Sequence, residues 1–193
     1  LTTDLVVKTA QTHLKLGKQT ITIGGLAKGS GMIHPDMATM LAFIGTDARI
    51  GRKLFQKALM TSVESTFNAI TVDGECSTND CVIALANGKA GNTLIKEASI
   101  PYKKFVSALT AICRSLAWKI VKDGEGATKF ITVRVCGCKT IPLAKKVAQQ
   151  IATSNLVKIA MFGRDPNWGR IIAALGNARV PVDPEKVEIR LGG

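Results

Sequence analysis

Residues 40–44 read MLAFI, and this apolar run decides the fold class. A run without polar alternation predicts a strand that is covered on both faces, as in a sheet packed between other layers. Further β-branched or apolar runs are expected to be strands at residues 21–23, 82–86, 130–135, 156–161 and 187–191. Apolar residues recur at helical spacing within residues 54–67, 105–120 and 143–151. Strands and amphipathic helices in this order predict a layered α/β protein.

The composition is that of a globular protein, with 193 residues of which 46% are hydrophobic. The formal net charge is +12, but the 26 Lys and Arg residues are spread along the whole chain. Aromatic residues are few and scattered, so the basic residues do not form the stacking groove of a nucleic-acid binder. No apolar run is long enough to cross a bilayer. We therefore expect no nucleic-acid partner and no membrane partner.

The cysteines are odd in number and unevenly spaced, which predicts a reducing compartment and no disulfide framework. Cys136 and Cys138 are separated by one residue, a spacing that could suggest metal ligation. No second cysteine pair and no nearby histidine completes a tetrahedral set, and alternate positions on a strand explain the spacing equally well. We expect no metal site.

A glycine-rich segment, GGLAKGSG, occupies residues 24–31. It resembles a phosphate-binding loop, but Lys28 precedes Gly29, whereas the Walker pattern requires Gly-Lys-Ser/Thr in that order before a helix. The glycines also miss the spacing of a dinucleotide-binding turn. The segment therefore indicates a flexible backbone that carries one cation, Lys28.

Classical catalytic triads are not supported, because the chain has only His13 and His34 and no nucleophile-elbow motif. A threonine at a chain's N-terminus can instead use its own α-amine, with a pKa of about 8, as the base. Cleavage between Ala38 and Thr39 would expose such an amine on Thr39. From these residues alone, a purely structural role for a threonine at the start of a strand stays open.

Residues 25–41, GLAKGSGMIHPDMATML, closely resemble the autocleavage segment of the ornithine acetyltransferase family. Other segments resemble that family in the same order: residues 46–48, 68–80, 123–129 and 162–170. The resemblance thus spans essentially the whole sequence. It implies a layered α-β-β-α sandwich of the self-cleaving ornithine acetyltransferase and aminopeptidase type.

The resemblance also implies how the chain is organised. Residues 1–193 are expected to form a single α/β domain that is a fragment of a longer chain. Residues 1–38 correspond to the end of the large (alpha) subunit and residues 39–193 to the start of the small (beta) subunit, which associate as a heterotetramer or larger. In the family, the oxyanion-hole pair lies upstream of the segment that matches this sequence, and a binding tail lies downstream.

The implied activity is that of a glutamate N-acetyltransferase, which moves acetyl from N-acetylornithine to glutamate in arginine biosynthesis through a ping-pong acetyl-enzyme. Thr39 is the implied nucleophile, Lys28 a substrate-binding cation, Glu125 a substrate-binding anion, and Thr2 or Thr3 a binding hydroxyl. Ornithine and glutamate share an α-carboxylate but differ in side-chain charge, so a site for both needs a fixed cation and a separate anion. No cofactor is expected, although some family members also accept acetyl-CoA.

Alternatives from two other classes remain. A related self-processing aminopeptidase or amidase would form the same acyl-Thr39 and resolve it with water, and a basic module would bind polyanions with steep salt dependence.

Residues such as Asp73, Asn79 and Asp80 lie in a polar turn and are expected to support the backbone. The pathway and the reduced cysteines predict a cytoplasmic enzyme, or one of an organelle matrix if the source is eukaryotic.

Overall fold

The protein is described by a computed structural model that covers residues 3–34 and 40–192. The chain packs as two compact units, Leu1–Ala127 and Thr128–Gly193. The prediction that residues 1–193 form one domain, divided between two subunits after Ala38, stays a prediction. No helix in the described part of the chain is long and apolar enough to span a membrane.

The first unit is built on a four-stranded sheet in the order β1-β2-β3-β4. The strands are β1 (Lys8–Leu16), β2 (Gln19–Lys28), β3 (Leu41–Thr46) and β4 (Cys81–Ala86). β1, β2 and β3 are antiparallel neighbours, whereas β3 and β4 run parallel and are joined by a helical crossover. Strands predicted around residues 21–23, 40–44 and 82–86 are confirmed.

β1 was not predicted, because its sequence KTAQTHLKL is mostly polar. Exposed residues alternate along it with partly buried ones, so polar side chains occupy the solvent face. His13 lies on that exposed face, 3.3 Å from Thr22 Oγ1 on β2. The strand owes its position to pairing with β2 over its whole length, and this pairing is not visible in the local sequence.

Two helices cover one face of the sheet. α1 (Arg52–Glu64) packs on α2 (Ile100–Lys122), and α2 lies on β1 and β2. Both helices were predicted, and α2 begins at the Ser99 cap, whose side chain accepts the N–H of Tyr102. The core contains completely buried side chains from both layers: Ile21, Ile23, Ala42, Phe105, Leu109, Leu116 and Ile120. Burial of each large one stabilises the fold by about 2 kcal/mol.

Gly25 permits the close contact between α2 and the sheet. A Cβ at this position would lie 2.9 Å from Phe43 O and 3.3 Å from Leu116 Cδ1. The opposite face of the sheet carries Leu26 and Phe43, which are 51% and 43% exposed. Among the described residues, the run at 40–44 is therefore covered on one face. One sheet with its helical layer confirms the predicted α/β class.

The second unit is helical in its described residues. It contains α3 (Ile141–Ala152), α4 (Asn155–Phe162), α5 (Trp168–Asn177) and a short 3₁₀ turn at Pro184–Lys186. The predicted helix around residues 143–151 is confirmed. The predicted strand at residues 156–161 is wrong, because Ser154 caps a helix by accepting the N–H of Val157. An apolar run of this length fits either a strand or a buried helix.

The runs at residues 130–135 and 187–191 have the composition of strands but form no regular element. A strand requires a neighbour that pairs with its backbone groups, and the described residues of this unit supply none for either run. Cys136 and Cys138 lie just after the first of these runs and are exposed.

Candidate active site

The loop that leaves β2 brings three distant parts of the chain together. Thr3 Oγ1 lies 2.5 Å from Ser30 Oγ, and the backbone N–H of Glu125 donates to Ser30 O at 2.8 Å. Ser30 is 1% exposed. The segment before β1 and the turn after α2 therefore both meet the backbone of the glycine loop, which we define as residues 28–31.

The side chain of Glu125 lies directly against this loop. A Cβ at Gly31 would be 2.9 Å from both Cδ and Oε1 of Glu125, so the absence of a side chain at Gly31 makes room for the carboxylate. Glu125 is exposed, and within the described residues its carboxylate forms no hydrogen bond or ion pair. It is thus a located negative charge that the described part of the chain does not neutralise.

Lys28 is the corresponding positive charge. It is the last residue of β2, pairs in register with Leu41 of β3, and has a partly buried side chain. Its ammonium has no ion pair with any residue that the structure describes. One loop therefore carries a cation where it begins and contacts an anion three residues later.

A buried cluster of charged side chains contacts the backbone of the loop. Lys8 Nζ is 2.5 Å from Asp4 Oδ1 and 2.5 Å from Asp123 Oδ2, and the whole Lys8 residue is 1% exposed. Asp4 also accepts the N–H of Gly29 at 2.9 Å, and Asp123 accepts the N–H of Leu5 at 3.0 Å. We call Lys8, Asp4 and Asp123 the buried ion cluster.

Both carboxyl groups of the buried ion cluster are held in the ionised form. Burial raises the pKa of Asp4 and of Asp123, but the hydrogen bonds from Lys8 and from backbone N–H groups outweigh burial. The pKa of each carboxyl is therefore lowered from its ordinary value of 3.8.

Two further aspartates hold the backbone on both sides of residues 35–39. Asp73 accepts the N–H of Met32 at 2.6 Å and that of Ile33 at 3.1 Å. Asp80 accepts the N–H of Met40 at 2.5 Å. Met32 has a φ of 55°, a left-handed conformation that costs energy for a residue other than glycine. The interpretation of Asp73 and Asp80 as backbone supports agrees with these hydrogen bonds.

Thr3, Lys28 and Glu125, three of the predicted binding residues, meet at the glycine loop. Thr2, Ala38 and Thr39 lie outside the described residues. The predicted roles of all these residues stay predictions. Within the described part of the chain, no group of three or more His, Cys, Asp or Glu side chains could hold a metal ion.

Sequence reasoning missed the buried ion cluster. Asp4 and Lys8 are four residues apart and lie outside every predicted helix, and Asp123 only follows the helix predicted within residues 105–120. The available signal was a single lysine directly after the apolar run at residues 5–7. Only the folded chain shows that this lysine is buried against two carboxylates.

The fold and the loop define an α/β protein that presents one cation and one anion at a glycine-rich loop. The chain belongs to the ArgJ family, whose family model matches residues 1–193. This membership confirms the resemblance that residues 25–41 indicated.

Relatives of known sequence and structure agree. The chain is 52% identical over 193 residues to the "Arginine biosynthesis bifunctional protein ArgJ" of Bacillus licheniformis, covering 100% of this chain and 48% of that protein. The protein of the same name from Bacillus subtilis has the same values. A crystal structure of the Bacillus halodurans protein of that name aligns with this chain at a TM-score of 0.71 and 45% sequence identity. The alignment covers 73% of this chain and 66% of the Bacillus halodurans chain. The chain spans about half the length of the curated relatives it matches.

Proposed function

We propose that the whole protein to which this chain belongs is a self-cleaving glutamate N-acetyltransferase of arginine biosynthesis with Thr39 as its nucleophile. The observation that carries this proposal is the glycine loop, where Lys28 and Glu125 present opposite charges that no described residue neutralises. The same chain continues from this loop to Thr39. The names of the relatives, which place them in arginine biosynthesis, support the pathway.

Maturation is the first step. The hydroxyl of Thr39 attacks the carbonyl carbon of Ala38, the peptide C–N bond breaks, and the resulting ester is hydrolysed by water. The new α-amine of Thr39 has an ordinary pKa of about 8, so it can accept a proton near neutral pH. The hydrogen bonds to Asp73 and Asp80 support this step, because they fix the backbone on both sides of the cleaved segment.

Acetyl transfer then proceeds in two halves. In the first half, Thr39 Oγ attacks the acetyl carbonyl of N-acetylornithine, the amide C–N bond breaks, and ornithine leaves with the proton that the α-amine had taken from the hydroxyl. In the second half, the amine of glutamate attacks the acetyl ester, N-acetylglutamate forms, and the hydroxyl of Thr39 is restored. Each half passes through an oxyanion, whose stabilisation typically contributes about 3 kcal/mol per donor.

The charges at the loop act differently on the two substrates. Lys28 can pair with a carboxylate, and Glu125 can pair with the side-chain ammonium of ornithine but would repel the side-chain carboxylate of glutamate. The hydroxyl of Thr3, which lies 2.5 Å from Ser30 Oγ, supplies a hydrogen bond at the same loop. Thr2 is the alternative that the family resemblance gives for this role. Both substrates carry an α-carboxylate but only ornithine carries a side-chain ammonium, so we expect Glu125 to discriminate between ornithine and glutamate more than Lys28 does.

The remaining expectations for the whole protein belong to the same proposal. No cofactor is required, with acetyl-CoA as an optional acetyl donor. The two products of cleavage stay associated as a heterotetramer or larger assembly, and the enzyme acts in the cytoplasm or in an organelle matrix.

The test is a comparison of transfer with hydrolysis in the full-length, processed protein. N-acetylornithine is incubated with ample glutamate, and N-acetylglutamate and free acetate are measured together. We expect transfer to exceed hydrolysis, and Thr39→Ala to abolish both, with Thr46→Ala as a control threonine in β3. Faster hydrolysis than transfer would instead identify an aminopeptidase or amidase with the same nucleophile.

A further inference from the structure

Lys8 is a buried lysine behind the glycine loop that the proposed chemistry does not use. Its side chain is completely inaccessible, and its ammonium contacts one oxygen each of Asp4 and Asp123 at 2.5 Å. A buried ammonium is costly unless carboxylates and good geometry compensate for the lost water. A single positive charge is here shared by two carboxylates that come from opposite ends of the first unit.

Each carboxylate also holds a different piece of backbone. Asp4 Oδ1 accepts the N–H of Gly29, and Asp123 Oδ2 accepts the N–H groups of Leu5 and Val6. The ammonium of Lys8 therefore ties together the segment before β1, the glycine loop and the end of α2. These are the three segments that carry the candidate binding residues.

The distances along the chain are short. Thr3 precedes Asp4, Lys28 precedes Gly29, and Glu125 follows Asp123 by two residues. Consecutive Cα atoms are about 3.8 Å apart, so a shift of either aspartate is transmitted to the binding side chain beside it. We propose that Lys8 is a positioning residue of the substrate site, whose buried ammonium fixes Thr3 and Glu125 on the glycine loop by joining Asp4 to Asp123.

Stability alone does not explain the buried ion cluster. A well-packed apolar group of similar size often stabilises a protein as much as a buried ion pair does. What the ion cluster adds is a fixed geometry, because two carboxylates must meet the same nitrogen within hydrogen-bond distance. Binding groups benefit from such fixation, because a side chain that is already held in its bound position loses less conformational freedom when the substrate binds.

The proposal rests on the proposed function, because Thr3 and Glu125 bind substrate only in that function. The full-length, processed enzyme is therefore assayed first as wild type. Absence of acetyl transfer in the wild type overturns the proposed function, and the positioning proposal with it. If the wild type is active, the variants test Lys8 alone.

The central variant is Lys8→Met, whose unbranched side chain fills most of the same space, ends before the position of the lysine Nζ and carries no charge. Two carboxylates are then left close together without a cation, so they repel and separate. We expect the KM for N-acetylornithine to rise about tenfold and kcat per active site, titrated by acetyl labelling, to change less than about twofold. A residue that only stabilises the fold lowers the amount of active enzyme and leaves KM unchanged.

Lys57→Met is the matched control. Lys57 forms an ion pair with Glu97 on the surface, where both side chains are 62% exposed. The same substitution there removes an exposed ion pair that includes no residue of the buried ion cluster or of the glycine loop. KM is therefore expected to stay at the wild-type value.

A rescue variant separates positioning from loss of a lysine as such. In Lys8→Met/Asp123→Asn, the amide oxygen can still accept the N–H of Leu5, and the amide nitrogen can donate to Asp4. We expect this double variant to recover most of the lost affinity. An increase in KM for Lys8→Met together with this recovery supports the proposal.

Should Lys8→Met fail to fold, Asp123→Asn alone carries the test. It keeps a balanced pair of one cation and one anion, and we expect a KM increase of about threefold with unchanged kcat. A wild-type KM in a folded Lys8→Met, or in Asp123→Asn when Lys8→Met does not fold, would overturn the proposal. So would an equal KM increase in Lys57→Met.

Discussion

Two sets of opposite charges lie within a few residues of each other in the first unit, and they are built in opposite ways. In the buried ion cluster, Lys8 is paired with Asp4 and Asp123, and water is excluded. At the glycine loop, the ammonium of the partly buried Lys28 and the carboxylate of the exposed Glu125 have no ion pair with any described residue. The buried set holds the backbone of the loop, and the accessible set is presented on it.

The difference separates a structural use of charge from a ligand-binding use. A buried charge must be paired inside the protein, because desolvation is otherwise too costly. An accessible charge can remain unpaired at little cost to stability and is then available to a substrate of opposite charge. Substitutions in the first set should therefore change stability most, and substitutions in the second set should change affinity with little effect on stability.

The largest expected effect on stability comes from Lys8→Met. Removing the ammonium leaves two buried carboxylates uncompensated, so we expect the free energy of unfolding to fall by about 3 to 5 kcal/mol. Urea denaturation of the full-length protein measures it. Lys57→Met, which breaks an exposed pair, is expected to change the free energy by less than about 0.5 kcal/mol. Equal losses in the two variants would contradict the distinction.

Glu125→Gln should show the opposite behaviour. The amide keeps the shape of the side chain but cannot neutralise an ammonium, so kcat/KM for N-acetylornithine should fall by about thirtyfold, equivalent to about 2 kcal/mol. The urea midpoint should not move, because the carboxylate has no partner in the described part of the chain. Glu97→Gln on the surface is the control, and a matching loss of activity there would remove the special status of Glu125.

Strong acid should destabilise the fold through the buried ion cluster. The pKa of Asp4 and that of Asp123 are lowered from 3.8 in the folded protein, so near that pH the unfolded chain binds more protons. The stability that these groups contribute is complete above pH of about 4 and is lost as the pH falls through the lowered folded pKa values. Unfolding followed between pH 7 and pH 2 should show this loss, and Asp4→Asn should make it shallower. An unchanged slope in Asp4→Asn would contradict the lowered pKa.

The smallest effect is expected from Gly31→Ala. The added Cβ would lie 2.9 Å from the carboxyl group of Glu125, which is the flexible end of a side chain and can move aside. We expect a loss of stability below about 1 kcal/mol and a KM for N-acetylornithine raised about threefold. Gly176→Ala in α5, where a Cβ would meet nothing within 4 Å, should leave KM unchanged. A wild-type KM for Gly31→Ala would show that the position of Glu125 on the loop is not important.

Sequence periodicity predicted those helices and strands whose own residues show a clear pattern of buried and exposed positions. Apolar residues at helical spacing predicted a helix within residues 105–120, and the structure confirms it as part of α2, which is capped by Ser99 and Asp123. The run at residues 156–161 lacks a clear pattern, because its apolar residues fit a strand as well as a helix. It was predicted as a strand but forms most of α4. β1 was missed for a different reason. Its sequence is too polar to indicate a strand, and its pairing with β2, which holds it in place, is not visible in the local sequence.

The candidate site was also predicted only in part. Lys28 and Glu125 could be proposed from motifs that resemble a family, and the fold brings both to one loop. Lys8 could not be proposed, because its burial depends on Asp123, which is separated from it by 115 residues along the chain. Local sequence patterns do not encode a contact of that range.

The central claim is that Thr39 becomes an N-terminal nucleophile that carries acetyl, and intact-mass measurement of the full-length protein tests it most directly. The protein should appear as two polypeptides cut between Ala38 and Thr39. Incubation with N-acetylornithine should add one acetyl group to the polypeptide that begins with Thr39, and glutamate should remove it. A single uncut polypeptide, or a cut protein that never gains acetyl, would contradict the claim.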